Sequence, residues 1–110
     1  MKKQLLCILA LCLIGTPALA AKTIKIGVMG PLTGSYASEG QDMKDIVTLL
    51  ADEMNATGGL LGKQIEILVG DDGSDARNAS MAAQRLSTQG VIASIGTYGS
   101  ANTEVTQMIY

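Results

Sequence analysis

Gly96-Thr97-Tyr98-Gly99-Ser100 is the stretch of this sequence with the most chemical content. A serine hydroxyl in such a loop has two uses: attack on a carbonyl, or donation of a hydrogen bond to an anion. Attack needs a base. The chain has no His, and Ser100 does not stand in the Gly-x-Ser-x-Gly spacing of a hydrolase elbow. Donation needs only a strand end before the serine and a helix after it. Val91-Ile92-Ala93-Ser94-Ile95 is short and nearly all apolar, which predicts a central parallel strand covered on both faces. Ligands of open α/β sheets bind at the carboxyl ends of such strands. Ser100 and the free N–H groups that open the next helix would form an anion site suited to a carboxylate, with Tyr98, Gly99 and Ala101 beside it. A second reading stays open, in which Ser100 is only the N-cap of that helix.

The other candidate constellations are weaker. Asp71-Asp72 suggests a metal or an acid–base pair, but neighbours at a strand end point to opposite sides and converge poorly. The pair reads instead as a solvated loop whose charge favours the N-terminus of the next helix. Gly27-x-x-Gly30-x-x-x-Gly34 lies between a strand and a helix without the Gly-x-Gly-x-x-Gly spacing of a dinucleotide site. Thr57-Gly58-Gly59-Leu60-Leu61-Gly62-Lys63-Gln64 fails as a phosphate loop. Thr57 stands where the first Gly belongs, Gln64 replaces Ser/Thr, and the segment leads into a strand. Asn55-Ala56-Thr57 and Asn78-Ala79-Ser80 match the glycosylation pattern by chance, since both fall on predicted helices.

Composition removes further chemistries. Lys2 and Lys3, an apolar run over residues 5–14 and Ala18-Leu19-Ala20 read as a secretory signal peptide over residues 1–20, cleaved after Ala20 or Ala21. The run is well short of the roughly 20 residues of a membrane-spanning helix. Cys7 and Cys12 both lie inside it, each after a leucine and too early for lipid attachment. The ninety residues after Ala20 have no Cys and no His, so disulfide staples and the usual zinc and haem ligands are missing. No metal and no cofactor is expected. Six basic groups against ten acidic ones give those residues a formal charge of −4, and Tyr is their only aromatic type. With no basic stripe to neutralise phosphates, nucleic acid is not an expected partner.

The elements that must position the Ser100 loop follow from periodicity. Ile24, Ile26 and Val28 alternate with Lys25 and Gly27 and predict a strand over residues 23–29. Met43, Ile46, Val47, Leu50, Ala51 and Met54 fall on one stripe of a 3.6-residue period, a long helix stopped by Gly58-Gly59. Ile65 and Ile67 alternate with Glu66 in a second strand over residues 64–69. Ala79, Ala82, Ala83 and Leu86 give a second helix a small-residue face, with Ser74 or Asp75 as its cap and Gly90 at its end. After the third strand, a third helix starts near Asn102 or Thr103 and runs to Tyr110 without a stop signal. The order β-α-β-α-β-α implies an α/β, three-layer, Rossmann-like fold: a parallel sheet with right-handed crossovers and helices on both faces. Three strands amount to half of a doubly wound domain, so the chain is expected to be an N-terminal fragment.

Several of these motifs occur together in one known family. Gly30-Pro31-Leu32-Thr33-Gly34, Asn55-Ala56-Thr57-Gly58-Gly59 with Gly62-Lys63, Asp71-Asp72, and Ile95-Gly96 with Ser100 stand in the order of the leucine/isoleucine/valine-binding proteins. Over residues 23–110 the chain resembles the start of that family. Its members are type I periplasmic binding proteins of ABC uptake systems for branched-chain amino acids, and they include amide and other small-solute receptors. The resemblance implies that residues 21–110 are the N-terminal part of an incomplete first lobe. It implies a periplasmic protein that binds an amino acid or similar carboxylate, is not an enzyme, closes two hinged lobes on its solute, and docks to a membrane permease. It assigns the carboxylate to Ser100 and makes residues 33–40 a border of the cleft. Glu39 falls where some members place an aromatic contact to the ligand side chain, and Ser74 and Gly99 fall where some members have a disulfide. The same fold also serves extracellular ligand-sensing domains of receptors and regulators. A secreted α/β enzyme is a third class, for which no catalytic constellation is assembled.

Overall fold

The structure, a computed structural model, describes residues 23–110. The signal-peptide reading of residues 1–20 lies outside the described residues. Strand β1 is Ile24–Gly30, helix α1 Ala37–Ala56, strand β2 Ile65–Asp71, helix α2 Ala76–Thr88, strand β3 Ala93–Ile95 and helix α3 Ser100–Thr106. The strands form one parallel sheet in the order β2-β1-β3. Its register pairs Ile24 with Ile65 through to Gly30 with Asp71 on one side of β1, and Ile26 with Ala93 through to Val28 with Ile95 on the other.

The period of two along β1 and β2 gives the sheet two apolar faces, and each takes its own helix. Met29 turns toward α2 and forms the buried core with Ala79, Ala82, Ala83 and Leu86. Glycines at the sheet and alanines on the helix let the two layers approach closely. A Cβ on Gly70 would lie 3.2 Å from the Ala82 Cβ and 3.2 Å from the Leu86 Cδ1. The opposite face carries Ile26, Ile65 and Ile67, and α1 lies over it with Val47 and Ala51. The α1 stripe is only partly covered: Met43, Val47 and Ala51 are withdrawn from solvent, whereas Ile46, Leu50 and Met54 remain exposed. An apolar groove of about 290 Å³ runs there between α1 and the sheet as far as Ile95.

Polar side chains fix the joints. Asn55, near the end of α1, accepts from the Ile65 N–H at 2.7 Å and donates to the Ile65 carbonyl at 2.8 Å, as a neighbouring strand would. The Asn55 amide is therefore committed to the entry of β2. Asp75 caps α2 through the Asn78 N–H at 2.9 Å. No helix among the described residues is long and apolar enough to cross a membrane.

The third strand departs from its sequence reading. It was expected to be central and covered on both faces, but β1 takes the middle place and β3 pairs with β1 alone among the described residues. Ala93 and Ile95 are exposed, and regular pairing begins at Ala93 rather than Val91. The physical reason is the winding. Helix α2 carries the chain from β2 past β1 to the far side, so β3 pairs with β1 rather than with β2.

Candidate functional site

The strand order reverses between β1 and β3. The chain leaves β1 toward β2 on one side and later returns to pair β3 on the other, so the loops leaving β1 and β3 part at this point. A crevice at the carboxyl ends of the strands follows from that topology. Gly96, the first residue after β3, has φ +101°, and a Cβ there would collide with the Met29 carbonyl. Only glycine lets the chain turn away this close to the end of β1.

A depression of about 280 Å³ lies in the crevice, lined by Tyr36, Ser74, Tyr98, Gly99, Ser100, Ala101 and Asn102. Tyr36 closes the β1–α1 loop and Tyr98 stands in the β3–α3 loop. Their ring centroids are 5.4 Å apart with planes tilted by 42°. Two loops therefore meet through aromatic rings 62 positions apart in sequence, each still about half exposed.

Helix α3 starts earlier than the sequence suggested, at Ser100 rather than near Asn102. Its N-cap is Gly99, with φ +119° and no side-chain cap bond. The reading of Ser100 as only an N-cap is thereby corrected, because Ser100 occupies the first helical position. The first backbone bond of the helix runs from the Thr103 N–H to the Gly99 carbonyl at 3.2 Å, so the N–H groups of Ser100, Ala101 and Asn102 head the helix ahead of it. Thr97 and Thr103 brace the loop: their hydroxyl oxygens are 2.7 Å apart and each lies 3.2 Å from the Gly99 carbonyl oxygen, so one hydroxyl donates to the other and that second one donates to the carbonyl.

The two aspartates are structural, which corrects the expectation of a solvated loop. Asp71 Oδ1 accepts from the N–H groups of Leu32 at 2.8 Å, Thr33 at 3.3 Å and Gly73 at 2.9 Å, and Oδ2 accepts from the Thr33 hydroxyl at 2.7 Å. Desolvation pushes this carboxyl's pKa up, but the bonds from the Thr33 hydroxyl and the three N–H groups outweigh it and hold the carboxyl below the usual aspartate value. Asp72 is fully buried, and its Oδ1 accepts from the Ser74 N–H at 2.8 Å. Its Oδ2 meets no hydrogen-bond donor among the described residues. Through Leu32, Thr33, Gly73 and Ser74 the pair holds the loops that leave β1 and β2.

Of the residues singled out from the sequence, Tyr98, Gly99, Ser100 and Ala101 come together in the depression. Glu39 lies in the first turn of α1, exposed, with its Oε2 accepting from the Ser38 hydroxyl at 3.0 Å, and it does not line the depression. Tyr36 falls inside residues 33–40, the segment that the family resemblance makes a border of the cleft, but it was not singled out there, and Ser74 and Asn102 were missed as lining residues. Tyr36 carried a signal, being one of only three aromatic residues in the chain and adjacent to the start of a predicted helix. No lining residue is charged. Hydroxyls, an amide, helix N–H groups and aromatic rings can bind and orient a small polar solute, and none of them is a base near neutral pH.

The sequence profile of the periplasmic binding protein family matches residues 23–110. The chain belongs to the periplasmic binding protein family. The Leu/Ile/Val-binding protein homolog 2 of Brucella abortus is 37% identical over 111 residues, covering 100% of this chain and 30% of that relative. A crystal structure of the branched-chain amino acid transporter substrate binding protein of Streptococcus pneumoniae, in complex with isoleucine, superposes with a TM-score of 0.75. It is 37% identical and covers 80% of this chain and 26% of that one. The fatty acid ABC transporter substrate-binding protein of Thermomonospora curvata gives a TM-score of 0.74 at 33% identity, over 79% of this chain and 22% of that one. This periplasmic binding protein chain therefore has the type I fold in its βαβαβα order and spans about 30% of the length of the curated relatives it matches first.

Proposed function

We propose that this chain forms part of the first lobe of a solute-binding protein for ABC uptake, whose ligand is a branched-chain amino acid or a related small amino-acid or amide solute. In this reading residues 1–20 are a cleaved signal peptide, residues 21–110 begin the first lobe, the protein works in the periplasm, and a membrane permease receives the loaded form. The observation that carries it is the meeting of Ser100, the opening N–H groups of α3 and Tyr98 in one uncharged depression at the β1/β3 switch point. Neutral donors at a helix start suit a carboxylate that keeps its own counter-charge, as a zwitterion does. The family membership and the amino-acid-binding relatives support the same solute class. Tyr98, Gly99, Ser100 and Ala101 are the proposed contacts, and Glu39 is retained as a border residue of the cleft.

The test is a thermal-shift panel on the full-length protein with amino acids, their amides and small carboxylates. A raised melting temperature with amino acids is the expected result. A response to none of them, or to simple carboxylates alone, contradicts the assignment.

A further inference from the structure

Met43 lies in the second turn of α1, and its side chain ends at the switch point. The helix is seated there by its backbone. Gly40 packs so closely on the loop leaving β1 that a Cβ on it would collide with the Pro31 carbonyl. Met43 follows three residues later, on the same side of the helix. Its terminal methyl, Cε, meets two glycines. One is Gly30, the last residue of β1, where an added Cβ would collide with that methyl. The other is Gly96, the first residue after β3, where an added Cβ would lie 3.2 Å from it. The methyl therefore sits between the exits of the two strands whose loops part at the crevice. An unbranched thioether reaches this place, whereas leucine, of similar volume, stops one atom short. From Gly96 the chain reaches Ser100 in four residues, and the 2.7 Å contact between the Thr97 and Thr103 hydroxyls ties the first of them to α3. A shift at Gly96 is thereby carried to Ser100.

We infer that Met43 is a positioning residue of the solute site: its methyl, seated between Gly30 and Gly96, sets the turn out of β3 that aims Ser100. The inference rests on the proposed reading of Ser100 as the carboxylate contact and adds the side chain that holds that contact in place. Met43 packs beneath the two loops and acts through Ser100, without touching the solute.

Calorimetric titration of the full-length protein with L-leucine tests this in a double-mutant cycle of Met43→Leu and Ser100→Ala. Met43→Leu keeps the apolar volume, so the fold should hold. It should weaken leucine binding by about three- to thirtyfold. In the Ser100→Ala background the same change should stay within about twofold, because the contact it misplaces is already gone. Gly30→Ala reaches the same place from β1, without altering α1. Gly30 has no positive φ, and its new methyl pushes that of Met43 toward Gly96. This variant should also weaken leucine. Gly30→Ala and Met43→Leu together should bind more tightly than either alone, since the new methyl takes the space the shorter side chain leaves. An equal cost of Met43→Leu with and without Ser100 overturns the inference, because a side chain that only supports the fold behaves that way. Unchanged affinity in both Met43→Leu and Gly30→Ala also overturns it. In either case the loss caused by Ser100→Ala alone leaves the site reading standing. Unchanged affinity in Ser100→Ala, or no binding of L-leucine by the natural protein, removes that reading, and the inference with it.

Discussion

The Thr33 hydroxyl donates to Asp71 Oδ2 at 2.7 Å, tying the loop that leaves β1 to the last residue of β2. Oδ1 of the same carboxylate takes three backbone N–H groups, two of them from that loop. The loop runs on to Tyr36 and so carries one wall of the crevice. A side chain that looks like a candidate catalyst in the sequence is therefore the anchor that positions a binding wall.

Asp71→Ala leaves three N–H groups and a hydroxyl without their acceptor. The expected loss is about 1–3 kcal/mol, read by urea unfolding near neutral pH, with Asp71→Asn milder because its amide oxygen still accepts. The pH dependence has a definite sign. The folded carboxyl lies below its unfolded value, so its contribution is complete above about pH 4 and is lost as the pH falls through the depressed folded value. Unfolding free energies measured between pH 6 and pH 2 should fall less steeply in Asp71→Asn than in the natural protein.

Leu86 is fully buried and reaches under the sheet toward Gly27 and Gly70. Leu86→Ala should cost about 2–5 kcal/mol by urea unfolding. The glycines opposite it have no side chains that can move into the space. A loss under 1 kcal/mol would mean that α2 collapses onto the sheet.

Gly96 turns the chain out of β3 at φ +101° against the Met29 carbonyl. Gly96→Ala should destabilise by more than about 1 kcal/mol, because both the backbone angle and the space exclude a Cβ. Since Gly96 sets the path to Ser100, the variant should also weaken solute binding in calorimetry under conditions where it remains folded.

The repeating part of the fold was legible in the sequence because periodicity reports burial. Ile24, Ile26 and Val28 marked β1, and Ala79, Ala82, Ala83 and Leu86 marked the buried face of α2, where the structure has them. Winding was not legible. Nothing in Val91-Ile92-Ala93-Ser94-Ile95 says which strand lies beside it, so its pairing with β1 rather than β2 was not legible. The site was legible where one loop supplies it, as with Tyr98, Gly99, Ser100 and Ala101, because glycine and serine between a strand and a helix are local signals. Tyr36 joins them only through a ring contact across 62 positions of sequence, which no local pattern records. Asp71 misled because its partners, Leu32 and Thr33, lie on another loop.

The role of Ser100 in solute binding is the central claim, and calorimetric titration of Ser100→Ala in the full-length protein tests it most directly. The ligand is the amino acid that gives the largest thermal shift in the panel. Loss of a charge-assisted hydrogen bond is worth roughly 1.5–3 kcal/mol, so affinity should fall by about ten- to a hundredfold. The melting temperature without ligand should stay nearly unchanged, since Gly99 rather than Ser100 is the N-cap of α3. Unchanged affinity together with a lowered melting temperature would contradict the account, leaving Ser100 a structural residue of the helix start and the depression without its carboxylate donor.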